Sequence, residues 1–144
     1  MKIKKMKPFT VTLVWLTAMG ACPDQRCLFA KTFGPRVRVT EELILKHGQK
    51  FQMDWLVNKL CTYAGVAKYD HGIAESWTQY WTAWTQYWTD RRRSDGTFRY
   101  TKRGLQRVRI NYDAMDKAAR PIRRARDKRE NELAIRVLRD YRRA

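Results

Sequence analysis

The sequence predicts a mainly α protein, with a small N-terminal helical globule followed by two long helices. One long helix is striped with aromatic residues, the other is rich in arginine, and a basic turn-containing insertion separates them. Helix start and stop signals recur through the first part of the chain. A seven-residue repeat then places Trp and Tyr at helical spacing. A length of 144 residues suits one domain, so we expect one compact unit overall.

The N-terminal globule is predicted over residues 1–64. Thr10 is the candidate N-cap of its first helix, because a threonine hydroxyl can accept a hydrogen bond from a backbone N–H of the first turn. Pro23 suits the first turn of a second helix, where its missing N–H costs nothing, and Gly34 marks the end of that helix. Thr40, followed by two glutamates, predicts the start of a third helix.

Residues 1–22 have the general shape of a lipoprotein signal, with a basic start, an apolar stretch and Gly20-Ala21-Cys22. Pro8 and three threonines interrupt the apolar stretch, and Pro23 follows the cysteine. We therefore favour a folded helix over a signal and expect a cytoplasmic protein. No run reaches about 18 apolar residues, so we expect no membrane span.

A single long helix is predicted over residues 65–93, because residues 77–90 repeat with a period of seven. On a helix, the aromatic positions of the repeat fall on one stripe about 120° wide. The stripe consists of Trp77, Tyr80, Trp81, Trp84, Tyr87 and Trp88.

The aromatic stripe has four interpretations. We favour packing as core against another part of the chain. The others are a partner-binding face, since Trp and Tyr are frequent interface anchors, the seam of a self-associating coiled coil, and a surface on which nucleic-acid bases stack.

The C-terminal part carries most of the positive charge. The formal net charge is +17 at pH 7, and residues 91–144 hold 19 of the 31 Lys and Arg residues. Arginine offers a planar fork that pairs with phosphate and stacks on bases. We predict a basic loop or hairpin over residues 94–110 and a basic helical region over residues 111–144. The candidate anion-binding residues are Arg91, Arg92, Arg93, Arg99, Lys102, Arg103, Arg107, Arg109, Arg120, Arg123 and Arg124.

Two structural interpretations compete with anion binding. The arginine triplet 91–93 ends the predicted aromatic helix, where cations meet the negative end of the helix dipole. The charges of the C-terminal helix are spread around it and mixed with acidic residues, which is typical of a solvated surface. We favour anion contact for the triplet and the segment that follows it.

The sequence contains no convincing catalytic set. His47 and His71 are far apart, and neither lies in a recognised catalytic motif. The three cysteines, Cys22, Cys27 and Cys61, are predicted to be core thiols, because a zinc site needs four ligands at workable spacing. We expect no enzyme activity, no metal and no cofactor.

Several loose motifs in roughly the first 90 residues stand together. They are Trp15-Leu16, Gly20-Ala21-Cys22, Phe29, Phe33-Gly34, Val39-Thr40 and Asp54-Trp55-Leu56. With the Trp/Tyr repeat, they resemble a group of small uncharacterised proteins encoded by bacteriophages and bacteria. The resemblance implies a phage accessory role in a bacterial host cell and no particular activity. The chain departs from that group at residues 91–111.

We expect a non-enzymatic protein that binds nucleic acid, either DNA or RNA, or a nucleoprotein complex through its Arg-rich segments. The first alternative is a phage-encoded inhibitor or accessory factor that docks on a bacterial host protein through the Trp/Tyr stripe and the basic segment. The second alternative is a structural protein that forms a homo-oligomer along the aromatic helix.

Overall fold

The computed structural model describes residues 4–95 and 104–143. Within these ranges, only the backbone is described at positions 88, 90–95 and 104–115. The described residues form six α-helices, one short 3-10 helix and a two-stranded sheet. The mainly α class, with a small N-terminal part followed by long helices, is therefore confirmed.

The N-terminal segment forms a strand where the sequence predicts the start of a helix. β1 (Phe9–Thr12) pairs antiparallel with β2 (Arg36–Val39), and Phe9 lies opposite Val39. Both segments contain β-branched residues, which favour extended backbone. Thr10 lies inside β1, so the prediction that it is an N-cap is wrong.

The helix α1 (Leu13–Ala18) begins directly after β1, and Thr12 is its N-cap. The Thr12 hydroxyl oxygen accepts a hydrogen bond from the backbone N–H of Trp15 at 3.0 Å. Thr10 and Thr12 carry the same capping hydroxyl, so residue type alone cannot choose between them. The strand pairing makes the choice, because it holds Thr10 in extended backbone.

The helix α2 (Pro23–Phe33) lies where the sequence predicts it. Pro23 occupies its first turn, and Gly34 ends it with a φ of 76°. Glycine adopts this left-handed backbone without the steric cost that a Cβ would bring. Both predicted boundary signals are confirmed.

Two further short helices complete the N-terminal part. α3 (Glu41–His47) is capped by Thr40, whose hydroxyl oxygen accepts a hydrogen bond from the Leu43 N–H at 3.2 Å. A 3-10 helix at Gly48–Lys50 leads to α4 (Met53–Leu60). The predicted N-cap of the third helix is confirmed.

The rest of the described chain consists of two long helices. α5 (Tyr63–Asp95) confirms the single long helix that the Trp/Tyr repeat predicts. α6 (Gly104–Tyr141) runs without interruption through Pro121. A proline inside a helix removes one backbone hydrogen bond. That loss does not end α6, which continues to Tyr141.

The prediction of a basic loop or hairpin over residues 94–110 is wrong for residues 94–95, which belong to α5, and for residues 104–110, which form the first turns of α6. Residues 96–103 lie outside the described residues. Alternating basic and apolar residues suggest a strand in that segment. However, Leu105 and Val108 precede Tyr112 by seven and four positions, which continues the helical stripe of the C-terminal region. The structure follows the helical spacing of these apolar residues and not the alternation of basic and apolar residues.

The chain divides into two compact units. Unit 1 combines Met1–His71 with Asn131–Ala144, and unit 2 is Gly72–Glu130. Both α5 and α6 run through the two units. The division therefore falls within helices and not at a loop.

The core of unit 1 includes the last turns of α6 as well as the N-terminal elements. Val57 of α4 and Val137 and Leu138 of α6 are fully buried. The Cys61 thiol sulfur lies 3.9 Å from the backbone carbonyl oxygen of Val137, to which it donates a weak hydrogen bond. The C-terminal helix thus completes the globule that the sequence assigns to residues 1–64.

Asn131 is a buried polar residue of α6 that forms hydrogen bonds to α3 and to the 3-10 helix after it. Its Oδ1 accepts a hydrogen bond from Gln49 Nε2 at 3.0 Å, and its Nδ2 donates to the Leu45 carbonyl at 3.5 Å. A buried amide needs partners at both ends to avoid a desolvation cost. These two bonds set the position of α6 along unit 1.

The three cysteines differ in burial. Cys61 is buried, whereas Cys22 and Cys27 are exposed, so the prediction of core thiols is wrong for these two. Cys22 occupies the N-cap position of α2, and Cys27 lies on the side of that helix opposite the buried Phe29. Burial raises the pKa of the Cys61 thiol above its ordinary value, against the smaller effect of nearby arginines.

Candidate nucleic-acid interface

The seven-residue repeat of α5 lies in unit 2 and separates two kinds of side chain. Each of four threonine hydroxyls donates to the backbone carbonyl four residues earlier, over 2.8 to 3.1 Å. The four are Thr78, Thr82, Thr85 and Thr89. These bonds satisfy the hydroxyls within the helix. The threonine side therefore needs no partner, and the aromatic residues project from the other side.

The aromatic residues contact one another along α5. The rings of Trp77 and Tyr80 meet edge to face at 5.6 Å, and those of Trp77 and Trp81 stack at 6.4 Å with 29° between their planes. Tyr80 then meets Trp84 at 6.3 Å, and Trp84 meets Tyr87 at 6.0 Å. These arrangements are the ones that aromatic pairs favour. The repeat therefore builds a continuous ladder of rings.

One flank of this ladder is open to solvent. Trp77 is 42% exposed and Trp81 is 60% exposed, whereas Tyr80, Trp84 and Tyr87 are half-buried. A stripe that served only as core would cover both flanks. The structure instead covers one edge of the stripe and leaves two indole rings at the surface of unit 2.

Arg126 of α6 lies over the ladder. Its guanidinium carbon is 4.9 Å from the ring centroid of Trp77 and 4.7 Å from that of Tyr80. Both distances are within the range of cation–π attraction. The same guanidinium lies 3.4 Å from the carboxylate of Asp127 and 4.0 Å from that of Glu130. Its charge is therefore held over the rings and partly balanced.

Two contacts show that α5 and α6 run antiparallel in unit 2. Arg126 lies over Tyr80, whereas Arg129 donates from Nη2 to the backbone carbonyl of Ser76 at 3.5 Å. Residues later in α6 thus contact residues earlier in α5. The turn of α6 before Arg126 therefore lies alongside the turn of α5 after Tyr80, which carries Trp81.

The part of α6 before Arg126 carries the predicted anion-binding arginines whose side chains are described. Arg123 Nη2 lies 2.6 Å from Asp116 Oδ1, and Arg120 Nη2 lies 3.9 Å from Asp116 Oδ2. Arg124 is exposed, but it lies two positions before Arg126 and therefore projects from the side of α6 opposite the rings. Exposed ion pairs contribute only about 0–1 kcal/mol, because water screens them. The pairs with Asp116 therefore hold Arg120 and Arg123 only weakly.

The other side chains of the predicted sites lie outside the described residues. For some of them the backbone is placed in α5 or α6. They are Trp88, Arg91, Arg92, Arg93, Arg99, Lys102, Arg103, Arg107 and Arg109.

Two arginines, Arg139 in the last turn of α6 and Arg142 just after it, form their contacts within unit 1. The Arg142 guanidinium lies 4.5 Å from the ring centroid of Phe9 and donates to the Lys7 carbonyl at 2.9 Å. Arg139 Nε donates to the Asp140 carboxylate at 2.8 Å, and this bond lowers the pKa of Asp140. Arg139 and Arg142 thus form contacts within unit 1, whereas Arg120 and Arg124 of α6 are exposed in unit 2.

Arg126 is absent from the predicted sites, although a signal for it exists in the sequence. Ala119, Ile122, Arg126 and Arg129 recur at spacings of three, four and three, so all four share one face of α6. Ala119 is buried. An arginine on the covered face of a helix needs a ring or a carboxylate on the facing element.

The described part of the chain contains no cluster of metal ligands and no membrane-spanning helix. No group of three or more His, Cys, Asp or Glu residues there could hold a metal ion. None of its helices is both long enough and apolar enough to cross a membrane. His47 packs edge to face on Phe33, with 5.3 Å between ring centroids. The expectation that the protein lacks enzyme activity stays a prediction.

No protein-family model, curated protein or solved structure matches the chain. The resemblance to small bacteriophage and bacterial proteins therefore stays a prediction that rests on the motifs given above.

Proposed function

We propose that the protein binds nucleic acid through one surface of unit 2. This basic aromatic face consists of Trp77, Trp81, Arg123 and Arg126. The observation that carries the proposal is the pairing of two exposed indole rings on α5 with half-buried arginines of the antiparallel α6. Arginine recognises phosphate, and indole rings recognise the apolar faces of bases.

The charge of the whole chain supports the same partner. A formal net charge of +17 on 144 residues attracts polyanions and repels most other basic surfaces. Phosphate contacts from Lys and Arg supply most of the sequence-independent affinity of nucleic-acid-binding proteins. We therefore expect binding with little dependence on base sequence.

A protein partner is the second candidate, because exposed tryptophans are frequent anchors of protein interfaces. In that case a bacterial host protein or a second copy of the chain would cover Trp77 and Trp81. Affinity purification from bacterial lysate, with and without nuclease, separates the two candidates. A stoichiometric protein that stays bound after nuclease treatment supports the second candidate and counts against the first.

The direct test is the salt dependence of binding to a labelled oligonucleotide, measured by fluorescence anisotropy. If about six phosphates are neutralised, affinity should fall roughly 10³-fold between about 50 and 200 mM salt. An affinity that changes little over this range would show that phosphate contacts do not drive binding.

A pair of variants locates the contact. Arg123→Ala removes an arginine of the basic aromatic face whose side chain is 43% exposed, and Arg38→Ala removes an exposed arginine of β2 in unit 1. Both change the net charge equally. We expect Arg123→Ala to reduce the steepness of the salt dependence by about one, and Arg38→Ala to leave it unchanged. Equal effects of both would mean that net charge alone matters and that unit 2 is not the site.

A further inference from the structure

We propose that unit 1 binds a small molecule with a single aromatic ring in an apolar cavity among its N-terminal elements. The cavity has a volume of about 90 Å³, and its walls come from both strands, the helices α1 to α4 and the 3-10 helix. Every lining residue belongs to unit 1. The inference concerns a different part of the chain from the basic aromatic face and does not depend on the proposed function.

An aromatic cluster lines the cavity. The Phe33 ring stacks on that of Phe51 at 5.5 Å with 21° between their planes. The same ring meets those of Phe29 and His47 edge to face at 5.4 and 5.3 Å. Aromatic pairs favour these arrangements, so the rings hold one another in place. All four rings line the cavity, and a planar apolar ligand can continue their packing.

The rest of the lining is mainly apolar. It includes the buried Ile44 and the indole of Trp55, which Trp15 holds by an edge-to-face contact at 5.9 Å. A water molecule inside a protein needs roughly two to four polar partners. The lining offers few, and Gln25 Oε1 already accepts a hydrogen bond from the backbone N–H of Gln52 at 3.1 Å. An apolar occupant therefore fits the cavity better than water does.

The cavity opens to solvent between the start of α2 and the start of α4. Cys22 and Gln52 are its two exposed lining residues, whereas the other lining residues are buried or half-buried. They are the N-cap residues of α2 and α4. The side-chain amide of Gln25 reaches the backbone of Gln52 at this mouth. A polar substituent on a bound ring would therefore meet hydrogen-bonding groups and water there.

The volume limits the ligand to one ring. An engineered apolar cavity of about 150 Å³ binds benzene, and the cavity of unit 1 is smaller. A ring that enters it leaves any substituent at the mouth. Walls around an empty cavity lack contact partners, and a ring restores these contacts. Phenol, with one ring and one hydroxyl group, has the chemistry that the cavity and its mouth together require.

The test titrates the whole protein with phenol and follows alkylation of its thiols by iodoacetamide. Isothermal titration calorimetry gives the Kd. Cys22 lines the cavity, whereas Cys27 is also exposed but does not line it, so Cys27 is the internal control. Trypsin cleaves after Arg26 and places the two cysteines on separate peptides for mass spectrometry.

We expect phenol to protect one thiol and not the other. At a concentration of about ten times the Kd, only about a tenth of the protein is free of ligand. The alkylation rate of Cys22 should then fall about tenfold, and that of Cys27 should stay the same. The two fused rings of 2-naphthol exceed the cavity, so 2-naphthol should protect neither thiol.

Two variants of α3 locate the binding. Leu43 lines the cavity and is half-buried, whereas Leu45 is 49% exposed and does not line it. Leu43→Phe puts a ring into the space of the ligand and should weaken phenol binding at least tenfold. Leu45→Phe makes the same change outside the cavity and should leave the Kd unchanged. Far-UV circular dichroism checks both folds, and Val37→Ile, a smaller filling change, replaces Leu43→Phe if that variant is unfolded.

The absence of saturable phenol binding to the folded wild-type protein would overturn the inference. So would binding that leaves the Cys22 rate unchanged or slows both thiols equally, because the ligand would then lie elsewhere. An unchanged Kd in a folded cavity-filling variant would have the same meaning. Cyclohexanol, a ring of similar size that is not aromatic, should bind more weakly, and equal affinity would overturn the assignment of an aromatic ligand. None of these results bears on oligonucleotide binding by unit 2.

Discussion

In unit 1 the apolar side chains of Val57 and Leu138 are fully buried, whereas in unit 2 two tryptophans, Trp77 and Trp81, remain 42% and 60% exposed. Burying apolar surface stabilises a fold by roughly 25 cal/mol per Å². Unit 1 gains this stabilisation from its own residues. Unit 2 leaves part of its aromatic surface uncovered, and that surface is available to a binding partner.

Buried polar groups do not separate the two units. In unit 1 the amide of Asn131 is bonded at both ends. However, His47 Nδ1 and Arg26 Nε in unit 1, like the Ser76 hydroxyl in unit 2, are buried without a hydrogen-bond partner among the described residues. The difference between the units therefore lies in their apolar side chains.

Truncating one large apolar residue in each unit tests the difference in burial most directly. Leu138→Ala should lower the free energy of unfolding by about 2–5 kcal/mol, because it opens a cavity in a packed core. Trp81→Ala removes more atoms but should cost less than about 1 kcal/mol, because its ring is mostly exposed. Chemical denaturation measures both. Similar losses in the two variants would mean that Trp81 is a structural residue.

Gly65→Ala tests the close packing of α5 on the end of α6 in unit 1. A Cβ added at Gly65 would come within 2.9 Å of the Tyr141 Cγ and press directly on its Cβ. The Tyr141 Cβ is fixed to its backbone, so the helices would have to separate. We expect a loss of about 1–3 kcal/mol in the free energy of unfolding. Helix propensity alone predicts the opposite, a gain of about 1 kcal/mol, so the sign of the change decides.

A pair of threonine variants compares the two units at a smaller scale. Thr40→Ala removes the N-cap of α3 and should lower the free energy of unfolding by about 1 kcal/mol. Thr85→Ala removes a hydroxyl that bonds only within α5 and should change it by less than about 0.5 kcal/mol. Thermal denaturation of the two variants side by side checks this. A larger loss for Thr85→Ala would indicate that the threonine side of α5 is covered.

Local signals suffice to predict most helix boundaries of unit 1. Pro23, Gly34 and Thr40 each act through their own backbone or the next turn, so their effects can be read from neighbouring residues. The strand β1 could not be predicted in this way. Its pairing depends on β2, which lies far along the chain, and residue type alone does not show which distant segment is the partner.

The same limit applies to the candidate site. The period of seven predicts that Trp77 and Trp81 share one side of a helix. It does not predict which flank is covered, because that depends on where α6 packs. Two arginines of α6 provide the missing information. Arg126 lies over Trp77 and Tyr80 and marks the covered edge, and its contact with Tyr80 and the bond from Arg129 to the Ser76 carbonyl together give the direction of α6.

The smallest expected effect concerns the thiol at the centre of unit 1. Burial raises the pKa of Cys61, so the folded protein holds this proton more tightly than the unfolded chain does. The resulting contribution to stability is complete below the ordinary thiol pKa of about 8.5, and it is lost as pH rises above that value toward the raised pKa. Cys61→Ala lacks this group, so the stability difference between wild type and variant should shrink as pH rises.

Thiol labelling provides an independent measurement of the same feature. With a disulfide reagent at mildly alkaline pH, the exposed Cys22 and Cys27 should react quickly in the native protein. Cys61 should react only as fast as unit 1 opens, so the third thiol appears with unfolding. Simultaneous reaction of all three thiols would mean that Cys61 is accessible in the native state. Cys61 would then not be buried in the native protein. The difference between a buried core in unit 1 and the exposed tryptophans of unit 2 would no longer hold.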